Sequence, residues 1–141
     1  MSLLSDFFIA SPEQAARYAT DRSIATDHAE FNGLTFEECA NLWAILQKTK
    51  PTPAHADAFE SVLVVNGGQS LLNRFPQEFV TLLASLDTAS SEAAATKWIQ
   101  TGELAYMSCA ASDVIPIIEN LSRLARTAQQ SGQSLYLWMC V

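Results

Sequence analysis

The closing stretch Ser134-Leu135-Tyr136-Leu137-Trp138-Met139-Cys140-Val141 is apolar beyond its first residue and follows a long amphipathic segment. Such a run persists in water only inside a sheet that other elements cover. Period-two alternation sets Leu135, Leu137, Met139 and Val141 on one face and Tyr136, Trp138 and Cys140 on the other, so both faces are apolar. Either the strand is central and covered on both sides, or the Tyr136/Trp138 face is a groove or contact surface.

Working back from that strand, Gly132 suits the C′ position of a helix beginning near Asp113. Its stripe is Val114, Ile117, Ile118, Leu121, Leu124, Ala125 and Ala128, and Pro116 falls in its first turn. Residues 103–111 carry no decisive pattern. Ser90 or Ser91 is the expected cap of a helix over 92–100, which Gly102 ends, and Pro76 opens a helix through Leu86. Val62-Leu63-Val64-Val65, then Asn66-Gly67-Gly68 and a run ending at Phe75, reads as a β-hairpin, because Asn-Gly supplies the positive φ angles of a tight turn. Thr52-Pro53 opens a short helix.

Thr35 and Glu38 form a capping box for a helix with Phe36, Cys39, Ala40, Trp43 and Leu46 on its inner side. Residues 20–34 read as a loop with an extended piece near 29–31. The opening Phe7-Phe8-Ile9 is a strand, and Ser11-Pro12-Glu13 starts a short helix to about Ala19. The expectation is a single α+β domain over residues 1–141, with a small, mainly antiparallel sheet and about five helices. The sheet is built from the N-terminal segment, the central hairpin and the C-terminal strand.

The chain of 141 residues is long enough to fold around one core without disulfides or metals. Cys39, Cys109 and Cys140 are odd in number and far apart, which fits reduced thiols in a cytoplasmic protein. The apolar runs are too short to span a bilayer, and the first residues lack the basic region of a secretory signal. Fifteen acidic against eight basic residues give a net charge of −7, which opposes binding to nucleic acid or an anionic membrane. Residues 1–60 hold nine acidic and four basic side chains, so the N-terminal part is the more negative.

No constellation for catalysis stands out. His28, between Asp27 and Glu30, reads as part of a solvated acidic loop, and His55, near Asp57, as part of a short helix; neither has metal-ligand spacing. Cys109 is the best candidate thiol, since it precedes a helix start, whereas Cys39 and Cys140 read as packing residues. Asn66-Gly67-Gly68 lacks the Lys-Ser/Thr of a phosphate loop, and Gly-x-Ser-x-Gly is absent. No cofactor or metal is expected.

The segments Ser5-Asp6-Phe7-Phe8-Ile9-Ala10-Ser11-Pro12-Glu13, Gly33-Leu34-Thr35 with Leu42-Trp43-Ala44-Ile45-Leu46, and Leu135 to Val141 together resemble a family of small uncharacterised bacterial proteins. The resemblance implies a bacterial, intracellular, single-domain protein and no catalytic residue. Two functions are expected. In the first the chain is a non-enzymatic interaction domain whose Asp21, Asp27, Glu30, Glu37 and Glu38 meet a basic protein partner. In the alternative it is a small enzyme or ligand-binding protein with a pocket near Tyr136, Trp138 and Cys109, joined by His28 or His55. A homodimer is compatible with either.

Overall fold

The computed structural model describes residues 3–140. Five strands form one antiparallel sheet: β1 (Leu4–Ala10), β2 (Asp27–Asn32), β3 (Glu60–Val65), β4 (Ser70–Arg74) and β5 (Ser134–Cys140), in the order β2-β1-β5-β4-β3. The closing strand is therefore the middle one. Residues 134–139 are all buried, and β5 is paired along β1 on one side and β4 on the other. Val141, expected on the Leu135 face, lies outside the described residues. The hairpin forms as its sequence demands: Asn66, Gly67 and Gly68 all have positive φ (53°, 65° and 102°) in a turn between β3 and β4.

Seven α-helices occur among the described residues against about five expected, and only α6 lies where the sequence predicts no helix. They are α1 (Pro12–Ala15), α2 (Phe36–Leu46), α3 (Pro53–Asp57), α4 (Gln77–Ala84), α5 (Thr88–Trp98), α6 (Gly102–Tyr106) and α7 (Ala111–Ser131). The surplus arises where local signals are weak. The undecided segment 103–111 contains the single turn of α6 and then a turn at Ser108 (φ 52°), not a strand. Gly102 opens that helix; α5 already ends at Trp98. Helix α5 begins at Thr88, earlier than expected, because the Asp87 carboxylate accepts the Ser90 N–H at 2.8 Å, putting Ser90 inside the first turn. Helix α7 likewise begins at Ala111, so Pro116 sits in its second turn. There the missing N–H leaves only the carbonyl of exposed Ser112 without an intrahelical donor. The loop expected over 20–34 contains a full strand, β2, where Asp27 and Glu30 replace the β-branched residues that usually announce one.

The main core lies between α2, α4, α5 and α7 and one face of the sheet, where Phe7, Ile9, Leu135, Leu137 and Met139 meet Leu42, Phe79, Leu83, Trp98, Ile118 and Leu124. Trp98 spans two helices, its Nε1–H donating to the Glu38 carbonyl at 2.8 Å. Ser5, on the same face, donates to the Leu34 carbonyl at 2.6 Å and accepts the Leu34 N–H at 3.0 Å, tying the β2–α2 connection to β1. The opposite face carries Phe8, Ala10, Leu72, Tyr136 and Trp138 under residues 11–26, a strap made of α1 and two 3₁₀ turns (Ala16–Ala19 and Arg22–Ile24). Tyr18 of the strap stacks on Phe8 with centroids 3.8 Å apart, and Phe8 in turn stacks on Tyr136 at 5.3 Å.

Leu137, fully buried at the centre of the sheet, should be costly to truncate. Leu137→Ala is expected to lower unfolding free energy by about 2–5 kcal/mol in urea denaturation. A loss under roughly 1 kcal/mol would contradict a central, doubly covered β5.

Candidate functional site

Asp6 in β1 faces the strap and is fully buried. Its Oδ2 lies 3.1 Å from Arg22 Nη1 and accepts the Tyr18 hydroxyl at 3.3 Å, whereas Oδ1 has no hydrogen-bond partner among the described residues. Arg22 also reaches Glu30 Oε1 at 3.4 Å and lies over the Tyr18 ring. Burial raises the Asp6 pKa above the ordinary carboxylate value, and the Arg22 charge opposes this only in part. Burial beside Asp6 also raises the Tyr18 phenol, so it remains a hydrogen-bond donor. The cluster fastens the strap to β1 and β2. Asp6 and Tyr18 are buried in it, while Arg22 and Glu30 at its rim are half-exposed.

The acidic residues singled out from sequence do not form one patch. Glu38 is buried and completes the α2 capping box, receiving the Thr35 N–H at 3.0 Å. Asp27 is held by Arg123 of α7, and Glu30 by Arg22. Asp21 caps the second 3₁₀ turn from an exposed position. Glu37 is exposed in the first turn of α2, beside a groove lined also by Leu3, Gly68, Gln69 and Met139, whereas its neighbour Glu38 is turned inward.

The residues of the alternative pocket are likewise separated. Tyr136 and Trp138 are 1% and 5% exposed beneath the strap. Cys109 sits in the α6–α7 connection and packs at the margin of the main core, on the other side of the sheet. His55 belongs to that side too: its ring stands edge-on to Trp43 at 5.0 Å, Nδ1 accepts the Thr52 N–H at 3.1 Å, and Nε2 donates to Gln47 Oε1 at 2.7 Å. His28 is exposed on β2, opposite Phe8. Cys39 is fully buried and its thiol is pushed up by burial, which removes it as a nucleophile. A further groove of about 520 Å³, between α5 and α7, is lined by Arg123, Arg126, Asp87 and Glu119 among others. Its arginines are already committed to Asp27 and the Leu86 carbonyl.

The surface that stands open is the β3 edge. Strand order leaves β2 and β3 each with one unpaired side. The β2 edge carries Asp27 and Glu30 with their arginines, and α7 contacts this strand. The extensive contacts of β3 are with β4 and the 66–68 turn, and none of the helices is packed along it to a comparable extent. Residues 61–65, Ser-Val-Leu-Val-Val, contain no charge; Val64 is 56% exposed and Val62, Leu63 and Val65 are half-buried. A bulge between Ser61 and Leu63 and the Glu60–Arg74 pair, at 3.8 Å, are confined to one end. The β-branched run at 62–65 marks a strand in sequence. Its edge position depends on strand order, which the run does not encode.

Because the folded-state pKa of Asp6 is raised, folding favours its protonated form. That contribution is present in full below the ordinary carboxylate value and is lost as pH rises through the raised one. Asp6→Asn should therefore gain on the wild type as pH rises across this window, and at neutral pH it should equal or exceed it in urea or thermal unfolding. A variant whose deficit grows with pH would show instead that the ionised carboxylate stabilises the fold.

In comparisons with known proteins, no family model, curated protein or solved structure matches this chain.

Proposed function

We propose that the chain is a non-enzymatic protein-interaction domain that associates through strand addition at β3. The single supporting observation is the uncharged, uncovered edge at residues 61–65, half-exposed on the strap face and open at Val64 on the other. An extended segment laid along β3 satisfies its outward N–H and C=O groups and covers Leu63, Val64 and Val65. Net charge of −7 gives any basic partner a faster encounter, with Asp21, Glu30 and Glu37 among the acids that face water. The acids steer; the edge holds. The wide spacing of the three cysteines supports a reducing, cytoplasmic setting.

The test is capture from extract of the native host with tagged wild-type chain and tagged Val64→Lys. Since Val64 is exposed, the variant should keep its circular dichroism spectrum while losing the captured species, because a lysine on an open edge opposes strand addition. For a basic captured species, added salt should slow association more than it speeds release, whereas for an acidic one it should not. Retention of every captured species by Val64→Lys would overturn this reading.

A further inference from the structure

We infer that the occupant of the β3 edge is a second copy of this chain, paired antiparallel about a two-fold axis at Val64, so that two five-stranded sheets join into one. This rests on the reading of β3 as an association surface and adds the identity of what it binds.

The charge pattern selects the occupant. Within β3 the only charged residue is Glu60, at its start. Antiparallel self-pairing centred on Val64 confines the shared ladder to residues 63–65 and leaves the two Glu60 side chains outside it, eight residues apart in register and roughly 25 Å by strand rise, far beyond the screening length of about 8 Å. No like charges oppose one another. A basic partner, by contrast, finds little local attraction here: Asp27 and Glu30 lie on the far edge, four strand spacings or roughly 19 Å away, and are held by Arg123 and Arg22.

The side chains are self-complementary under the same operator. Directly opposed residues of an antiparallel pair share a face, so an axis at Val64 sets Val64 against its own mate. Leu63 then faces Val65 of the second copy and Val65 faces Leu63. In β3 these residues have that placement already: Leu63 and Val65 pair with Leu72 and Ser70 on the strap face, and Val64 with Leu71 on the other. Cross-strand pairing of branched apolar residues is a favourable arrangement for an antiparallel ladder. The bulge and Glu60 fall outside the central pairs.

Sedimentation equilibrium of the full chain tests this across low to high micromolar concentration, alongside amide hydrogen exchange of the wild type on dilution. The wild type should approach twice the 15.4 kDa of one chain, and this should hold or strengthen with added salt, since salt screens repulsion between two acidic copies. Amides of residues 62–65 should lose protection on dilution. Val64→Lys should raise the dimer dissociation constant roughly tenfold or more with an unchanged thermal midpoint for the monomer, and Val64→Ile should keep the dimer. A wild type at single-chain mass throughout overturns self-pairing. If Val64→Lys nevertheless abolishes capture of another protein, the edge remains an association surface with a different occupant. A dimer that survives Val64→Lys with unprotected 62–65 amides overturns both.

Discussion

The two-sided burial of β5 is the constraint on which the structure depends. A strand apolar on both faces must be central and must have a layer above and below, and the chain meets these demands by unequal means. On one face, α2, α4, α5 and α7 supply Leu42, Phe79, Leu83, Trp98, Ile118 and Leu124 in a core of ordinary helical stripes. On the other, only residues 11–26 are available, and a strap with a four-residue helix and two 3₁₀ turns has little regular backbone bonding of its own. It is held instead by side chains: Tyr18 on Phe8, and Arg22 on Asp6 and Glu30.

Placing Asp6 there has a consequence for stability. A carboxylate at full burial loses its hydration, and one arginine, itself half-exposed, restores only part of it. The raised pKa and the unpartnered Oδ1 describe the same deficit from two directions. The residue therefore orients the strap more than it strengthens the fold. An apolar side chain at position 6 would pack against Trp138, its neighbour across β5, but would give Arg22 nothing to reach from β1.

Much of the architecture is legible in the residues. The closing strand, the Asn66-Gly67-Gly68 hairpin, the Thr35/Glu38 capping box and the Gly132 helix terminator each rest on local chemistry that tertiary context does not override. Only the part of β2 near 29–31 is legible as extended, because Asp27-His28-Ala29-Glu30 lacks the composition of a strand; the full strand forms because β1 offers a free side for pairing. α6 escapes because a single helical turn carries no periodicity. The candidate site is still less legible. Charge groups acids that lie close in sequence, yet Asp27 is held by Arg123, ninety-six residues away, whereas Asp21, Glu30 and Glu38 find Ser23, Arg22 and Thr35 nearby. Cys109 and Trp138 are near the same terminus but on opposite sides of the sheet, a separation fixed by strand order and not by spacing.

The contrast between the two edges follows from how the chain is routed. After β2 the chain enters α2, and α7 later returns to contact β2 with Arg123 in place to meet Asp27. β3, by contrast, forms a tight hairpin with β4, and the chain then leaves through α4 toward the helical layer. Among the described residues, no helix on that route packs extensively along β3. Edge strands exposed in this way are ordinarily protected by inward charges or lysines, and this chain has fifteen acidic residues from which to draw. None lies between Ser61 and Val65. With Val64 open to water and Leu63 and Val65 half-covered, an unprotected edge is a liability for a solitary chain. It ceases to be one when another strand occupies it, and the uncharged sequence of β3 is the composition that such a permanent neighbour requires.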